Sequence, residues 1–163
     1  AENNIGTYKP DATKYFDGCL MDARIVDAVK ALVTDARAGD YSIYLSTGYV
    51  DYAHCKTDYE KAGSGTRTAE VAEPGTNEHQ TGLCCDMHNL GSADVAFAKK
   101  AAYTLLKDNA WKFGFILRFP EGKEDITNIS FEPWHYRFVG RYHAKAIYDS
   151  GLCLEEYLNP AGN

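Results

Sequence analysis

Two histidines and two acidic residues carry the chemistry that this sequence most clearly suggests. His79 and Asp86 lie close together in the chain, and Glu132 and His135 follow in a second cluster downstream. His79, Asp86 and His135 supply two imidazoles and one carboxylate, a ligand set with which catalytic zinc keeps a fourth position for water. Glu132 is then left as a carboxylate near the metal, where it can act as a general base toward water. The four residues therefore predict a hydrolytic zinc site.

The segments that hold these residues resemble two motifs of the zinc D-alanyl-D-alanine carboxypeptidases, the VanY, VanX and hedgehog-like group. Residues 77–86 are Asn-Glu-His-Gln-Thr-Gly-Leu-Cys-Cys-Asp, similar to the family motif S-x-H-x-x-G-x-A-x-D. Residues 132–136 are Glu-Pro-Trp-His-Tyr, similar to the second motif, E-x-x-H. The resemblance extends over residues 18–158 and includes three segments similar to the VanY branch, which are 47–49, 114–120 and 151–158.

The resemblance implies a VanY-type zinc carboxypeptidase. His79, Asp86 and His135 would bind Zn²⁺, and Glu132 would take a proton from the attacking water and pass it to the leaving amine. The implied substrate is the terminal D-Ala of a peptidoglycan stem peptide or of a D-Ala-terminated precursor. Two alternatives stay open on the same fold. One is a weakly active or inactive zinc-containing module that binds cell-wall peptide or protein, and the other is an endolysin-type endopeptidase that cuts within the stem peptide.

The sequence departs from the VanY pattern beside this site. Val50 stands where VanY-like chains have an Arg that lines the substrate site, and Cys55 stands where they have a Gln. Valine can neither stabilise an oxyanion nor hold a carboxylate, so other cations are needed. We expect Arg67 to contact substrate and Arg118 to support the site, and we group both with Glu132 as catalytic residues. The predicted substrate contacts are Tyr49, Gln80, Trp134 and Tyr136.

The cysteines near the motifs leave several alternatives open. Cys84 replaces the usual Ala of the first motif and shares a strand face with Asp86, so Cys84 and Cys55 could form a disulfide or offer soft ligands to zinc. Cys84 could equally be a small buried apolar residue. A disulfide between Cys19 and Cys153 is a further possibility. The chain has five cysteines, so at least one thiol is not paired within it.

Apolar periodicity predicts a single α+β domain, with helices packed around a small antiparallel sheet. Residues 1–17 are expected to form a polar N-terminal arm on the surface, and 18–163 the zinc carboxypeptidase domain. Residues 63–77 form a long loop that leads into His79 and is expected to rim the site. The predicted helices are 21–37, 51–62 begun by Asp51, 93–107 capped by Ser92, and 141–149. The predicted strands are 41–45, 83–88, and an antiparallel pair at 111–119 and 129–139.

Charge and hydropathy limit the partners. The net charge of −6 argues against nucleic acid, because phosphate backbones attract basic surfaces. The chain has no apolar run of about 18 residues, so no transmembrane segment is expected. It also lacks a basic and then apolar start, so no signal peptide is evident. We expect a monomer that works outside the cell or in the cell envelope, with the cytoplasm as the alternative.

Overall fold

The computed structural model of the chain describes residues 4–62 and 72–160. Within those ranges, no helix is both long and apolar enough to cross a membrane. In chain order the elements are β1 (Thr13–Phe16), β2 (Cys19–Asp22), α1 (Val26–Ala38), β3 (Tyr44–Thr47), α2 (Tyr52–Ala62), β4 (Cys84–His88), α3 (Ala101–Asn109), β5 (Phe115–Leu117), α4 (Glu124–Thr127), β6 (His135–Phe138), α5 (Arg141–Ser150) and α6 (Leu154–Leu158). Short 3-10 helices cover Glu78–Thr81, Val95–Lys99 and Ala110–Phe113.

Four of the strands form one antiparallel sheet in the order β3-β4-β6-β5. Its two faces differ in chemistry, because successive side chains of a strand point to opposite sides. On one face, Cys85 and Met87 of β4 and Tyr136 of β6 belong to the apolar core. On the other face, Asp86 of β4 lies opposite His135 of β6. The predicted α+β class, with helices around a small antiparallel sheet, is confirmed.

Helix α1 covers the apolar face of the sheet. Its buried residues recur every three or four positions, as the sequence predicts for an amphipathic helix. They pack in one cluster with Phe97, Leu106 and Phe115. Burying apolar side chains of this size stabilises the fold by roughly 1.5–3 kcal/mol each. The α1 residues of this cluster are Val26, Val29, Leu32, Val33 and Ala36.

The predicted helix over 21–37 begins too early. Residues Cys19–Asp22 form β2, which pairs with β1 in a hairpin, and α1 starts only at Val26. The turn consists of Asp17 and Gly18, which both have positive φ, at 51° and 82°. An Asp-Gly pair between two apolar segments is a strong hairpin signal, and the helical periodicity of the following residues concealed it. The hairpin also gives a strand to the predicted polar arm.

The other predicted elements are present with changed bounds: the strand predicted at 41–45 is Tyr44–Thr47, and the helix predicted at 141–149 is Arg141–Ser150. The predicted helix over 93–107 is divided at Lys100, whose extended backbone (φ −95°, ψ 143°) separates a 3-10 helix from α3. Asp94, not Ser92, caps the 3-10 helix by accepting a hydrogen bond from the Ala96 N–H at 2.7 Å. The antiparallel pair is confirmed, although β5 and β6 cover only parts of the two predicted strands. Gly114, with φ at 90°, ends the 3-10 helix that precedes β5.

Candidate metal centre

Strand pairing and one tight helical turn bring three ligand-type side chains together. Asp86 of β4 and His135 of β6 are direct neighbours in the ladder, and their Oδ1 and Nδ1 atoms are 3.0 Å apart. His79 comes from the 3-10 helix Glu78–Thr81, and its Nε2 lies 3.4 Å from the same Asp86 oxygen. The Asn77 side chain caps this helix by accepting from the His79 N–H at 2.9 Å. The structure therefore brings together the three residues that the sequence predicts as ligands.

The spacing of these atoms fits a tetrahedral metal site. Ligands about 2.0–2.1 Å from zinc in tetrahedral geometry lie about 3.3 Å from one another, close to the two separations observed. Asp86 Oδ1 is buried and has no hydrogen-bond partner among the residues that the structure describes. A buried carboxylate oxygen without a hydrogen bond is costly unless a cation lies beside it. The three side chains therefore fit a zinc ion.

Both imidazoles are held with one nitrogen turned toward the cluster. His79 Nδ1 lies 2.8 Å from the Gly48 carbonyl, which can only accept, so Nδ1 carries the proton and Nε2 is free to bind. His135 Nε2 lies 2.9 Å from Glu78 Oε2, so the same argument leaves its Nδ1 free. Carbonyl or carboxylate partners of this kind orient metal-bound histidines in proteins.

Gly48 is required because the chain approaches another strand closely. A Cβ at this position would overlap the carbonyl oxygen of Leu20. Gly48→Ala is therefore expected to lower the free energy of unfolding by roughly 1–3 kcal/mol. It is also expected to weaken metal binding about tenfold or more, because the Gly48 carbonyl orients His79. Thermal unfolding and metal titration check both effects.

Gly91→Ala is the matched control for this change, since nothing lies within 4 Å of the added methyl group. If Gly48→Ala behaved like Gly91→Ala in both measurements, the close approach at Gly48 would not matter.

Glu78 connects His135 to two arginines. Its Oε1 accepts from Arg118 Nε and from an Arg137 guanidinium nitrogen, both at 2.9 Å. Arg118 also makes a two-point contact with Glu155, at 2.6 and 3.0 Å. Burial opposes ionisation of Glu78, but the hydrogen bond with His135 and the charges of the arginines outweigh it and lower the pKa of this carboxyl. Glu78 thus remains an anion that fixes the His135 ring.

A cysteine lies beside the two imidazoles. The Cys84 Sγ atom and one ring nitrogen each of His79 and His135 all lie within 4.8 Å of one another. This set overlaps the predicted one, with the Cys84 sulfur in the place of the Asp86 carboxylate. Burial disfavours every charge here, but attraction to Cys84 and Asp86 raises the pKa values of both histidines well above their usual range. The same attraction lowers the pKa of the Cys84 thiol.

Glu132 reaches the cluster through a β-turn. The His135 N–H donates to the Glu132 carbonyl at 3.3 Å, and Pro133 occupies the second position of this turn, where its fixed φ is favoured. The Glu132 N–H donates to the Phe119 carbonyl at 3.1 Å, which anchors the turn against the end of β5. As a result, Glu132 Oε2 lies 3.7 Å from His135 Nδ1. A carboxylate that is not part of the three-ligand set therefore lies next to it.

The cluster lies on the floor of an open cleft of about 1,040 Å³. This volume is at the upper end of the range for small-molecule sites, so the cleft can admit a short peptide. Thr76, Asn77 and the segment 127–130 contribute to its walls. The residues on its floor and sides that bear on the chemistry are Val50, Cys55, His79, Asp86, Arg118, Glu132, Trp134, His135 and Arg137.

The structure describes only one of the two arginines, Arg67 and Arg118, that the sequence analysis predicted at the site. Arg67 lies outside the described residues. Arg118 lines the cleft, but its donors are occupied by Glu78 and Glu155, and its guanidinium lies 4.6 Å from the Phe119 ring centre. This arrangement leaves none of these donors aimed at a substrate oxyanion, and the supporting role of Arg118 stays a prediction.

Two of the predicted substrate contacts are corrected. Gln80 is fully buried, and its side-chain amide donates to the carbonyls of Gly6 and Tyr8 at 2.7 and 3.0 Å. Tyr136 is fully buried in the apolar core, because its position in β6 points to the face opposite His135. Trp134 does line the cleft, as predicted, whereas Tyr49 is not among the residues that line it. The motif resemblance could not show that Tyr136 points to the core, since adjacent positions of a strand point to opposite faces.

Gln80 instead attaches the N-terminal segment to the site. Gln80→Ala is expected to lower the free energy of unfolding by about 1–3 kcal/mol, because a fully buried amide and its two hydrogen bonds to part-buried carbonyls are lost. The Michaelis constant for substrate should stay unchanged. Thermal unfolding and steady-state kinetics on the same preparation separate these effects. A raised Michaelis constant with an unchanged free energy of unfolding would show that Gln80 does contact substrate.

Glu78 and Arg137 are residues that the sequence analysis missed. Both line the cleft, and they are joined by an ion pair of 2.9 Å. One signal was available: His135 and Arg137 are two apart in a predicted strand and therefore share its polar face. Glu78 had no such signal, because its contact with His135 depends on how the 3-10 helix lies against β6.

All five cysteines are free thiols. The possible disulfides between Cys55 and Cys84 and between Cys19 and Cys153 are therefore not formed. Cys55 is buried on α2, where its thiol contacts the Val50 carbonyl at 3.9 Å. Among these cysteines, Cys84 alone remains a candidate soft ligand for zinc, because only Cys84 lies beside the two imidazoles.

Two imidazoles and a carboxylate, with a second carboxylate beside them in an open cleft, define a site of the metal-dependent hydrolase type. Comparisons with known proteins agree with this description of the site. The chain belongs to the VanY family, the D-alanyl-D-alanine carboxypeptidases, whose match covers residues 18–141.

Individual relatives extend over most of the chain. The D-alanyl-D-alanine carboxypeptidase of Enterococcus faecalis (strain ATCC 700802 / V583) is 36% identical over 165 residues, covering 93% of this chain and 60% of that protein. The solved structure of LdcB, an LD-carboxypeptidase, has a TM-score of 0.80 at 36% identity and covers 95% of this chain and 76% of that one. The structure of a mutant of VanY, a vancomycin resistance D,D-pentapeptidase, in complex with Zn(II) has a TM-score of 0.80 at 35% identity. The match covers 98% of this chain and 96% of that one. The chain spans about half the length of the curated relatives it matches.

Proposed function

We propose that this chain is a zinc-dependent D,D-carboxypeptidase that removes the terminal D-Ala from peptidoglycan stem peptides or their precursors. One observation carries the proposal. His79 Nε2, Asp86 Oδ1 and His135 Nδ1 converge at separations that suit a tetrahedral ion, and Glu132 lies 3.7 Å from the last of them. This arrangement occurs in a member of a family of D-alanyl-D-alanine carboxypeptidases.

Each side chain has a distinct part in the proposed reaction. His79, Asp86 and His135 hold the metal, which when bound acidifies water and polarises a peptide carbonyl. Glu132 accepts the proton of the attacking water and delivers it to the leaving amine of D-Ala. Its burial at 3% exposure keeps it from bulk water and close to the place where the water must lie. Glu78 keeps the His135 ring in the tautomer that leaves Nδ1 unprotonated.

Recognition of the substrate carboxylate needs a cation, and Val50 does not supply one. Arg118 and Arg137 line the cleft, but both pair with Glu78, and Arg118 also pairs with Glu155. Arg67 therefore remains the proposed contact for the terminal carboxylate. A second specificity, for a C-terminal D-residue that follows an L-centre, is favoured by the equally similar structure of the LD-carboxypeptidase LdcB.

Mass spectrometry of defined muropeptides tests the proposal. The zinc-loaded protein is incubated with a pentapeptide stem ending in D-Ala-D-Ala and, separately, with the tetrapeptide stem ending in a single D-Ala. Loss of one alanine from the pentapeptide alone supports the D,D-carboxypeptidase, and loss from the tetrapeptide supports the L,D specificity. Cleavage further inside indicates an endopeptidase. Binding without any mass change indicates a module without hydrolytic activity.

The place of action and the oligomeric state belong to the same proposal. The cell wall lies outside the cytoplasmic membrane, so a wall-linked stem peptide would be met in the cell envelope or outside the cell. His79, Asp86 and His135 all line one cleft of the described chain, and hence a monomer suffices for the chemistry. Light scattering of the purified protein and fractionation of cells that produce it test these two points.

A further inference from the structure

Cys84 stands out because it is a chemically reactive side chain placed against the proposed ligands and not used in the proposed reaction. It lies on β4, two residues before Asp86, and pairs in the ladder with Arg137 of β6. Its position on the strand gives it the same face as Asp86 and His135. It is completely buried. The motif that this segment resembles has Ala at this position, so the thiol is a departure from that motif.

The Cys84 sulfur lies close to both imidazoles. The sulfur and one ring nitrogen each of His79 and His135 all lie within 4.8 Å of one another. Zinc binds thiolate sulfur at about 2.3 Å and imidazole nitrogen at about 2.0–2.1 Å, so sulfur and nitrogen ligands of one tetrahedral ion lie about 3.5 Å apart, inside that limit. Asp86 Oδ1 supplies an independent sign of a cation here, because it is buried without a hydrogen-bond partner among the described residues.

The side from which the sulfur approaches leaves the cleft open. His79, Asp86 and His135 all line the cleft, whereas Cys84 does not. The sulfur therefore lies beneath the cluster, on the interior side, and the substrate would arrive from the opposite direction. Catalytic zinc sites tolerate a fifth ligand during reaction, so a buried sulfur and a cleft-facing position are compatible.

We propose that Cys84 Sγ is a fourth protein ligand of the metal, giving this chain a softer N₂OS site than the N₂O set of its family motif. The proposal rests on the metal site of the proposed function. On binding, the S–H bond breaks, the proton passes to solvent, and the S–metal bond forms without any change of oxidation state. A thiolate ligand favours thiophilic metals, so the site should select Cd²⁺ over Zn²⁺ more strongly than a site without sulfur.

Cobalt spectroscopy tests the sulfur directly. The full chain is loaded with Co²⁺, and its absorption is compared with that of Cys84→Ala, Cys84→Ser and Cys85→Ala. The wild-type protein is expected to show a near-ultraviolet sulfur-to-cobalt charge-transfer band together with visible d–d bands. Both Cys84 variants should keep the d–d bands and lose the charge-transfer band. Cys85→Ala is the matched control, because Cys85 is equally buried but belongs to the apolar core on the other face.

A competition between Cd²⁺ and Zn²⁺ adds a second readout. We expect the preference for Cd²⁺ to fall by about tenfold or more in Cys84→Ala, since even residues that only support ligands change metal affinity by about 10–100-fold. A wild-type d–d spectrum without the charge-transfer band would overturn the sulfur ligand and leave the proposed function intact. Failure of the wild-type protein to bind Co²⁺ at all would overturn both.

Discussion

Glu132→Gln is expected to lower kcat/KM for a D-Ala-D-Ala peptide by about 10²–10⁴-fold, the usual contribution of a positioned general base. The amide has nearly the same shape as the carboxylate but cannot accept the proton of water. Glu132 is not one of the three proposed ligands, so the variant should bind one metal ion as tightly as the wild-type chain. Steady-state hydrolysis measured with a metal titration on the same sample distinguishes the two properties.

The control for this change is Glu60→Gln on α2, where the glutamate side chain is 65% exposed and pairs with Lys56 at 3.8 Å. It should leave both activity and metal binding unchanged. If Glu132→Gln kept wild-type activity, Glu132 would not be the base. If it lost the metal instead, Glu132 would be a ligand, and the assignment of three ligands would be wrong.

Glu78→Gln is expected to have the largest effect among residues that touch neither substrate nor metal. Removing this charge leaves Arg137 without its carboxylate partner and Arg118 with Glu155 alone. Removing one partner of a buried ion pair typically costs about 3–5 kcal/mol, and we expect about 3 kcal/mol here because Arg137 stays partly exposed. Metal affinity should fall by about 10–100-fold, since His135 loses its orienting carboxylate. Denaturant unfolding and metal titration measure the two losses.

The stability effect of Glu78→Gln should depend on pH. The pKa of Glu78 is lower in the folded chain than its ordinary value of 4.5, so its contribution is complete above that value and is lost as the pH falls below it. The variant should therefore differ from the wild-type protein more at neutral pH than at about pH 3. Asp58→Asn, an exposed acid at the same cleft, is the matched control and should show neither effect. Equal stability of Glu78→Gln and wild type at neutral pH would show that the arginines do not need this charge.

The proposed ligands could be predicted from the sequence because each belongs to a short motif of fixed spacing. The alternation of side chains in β4 correctly placed Cys84 and Asp86 on one face and Cys85 on the other. Pro133 disfavours helical geometry at Glu132, and a β-turn brings Glu132 and His135 together instead. These inferences needed only local geometry.

The residues that were mispredicted depend on contacts between distant segments. Gln80 follows His79 directly, yet it points away from the cleft because the carbonyls of Gly6 and Tyr8 fill the space beside it. Glu78 orients His135 only because a 3-10 helix lies against β6. The strand β2 was hidden within an apparent helical stripe, because a few apolar residues fit either period. Such errors are expected wherever contacts between distant segments decide where a side chain points or which element a segment forms.

The most direct test of the account is to locate zinc in the protein. Crystals of the zinc-loaded chain, measured on both sides of the zinc absorption edge, should show one anomalous peak between His79 Nε2, Asp86 Oδ1 and His135 Nδ1. Metal analysis of the same protein should give one zinc per chain, lost in His79→Ala and in His135→Ala. A protein that binds no zinc, or an anomalous peak away from these three atoms, would contradict the account.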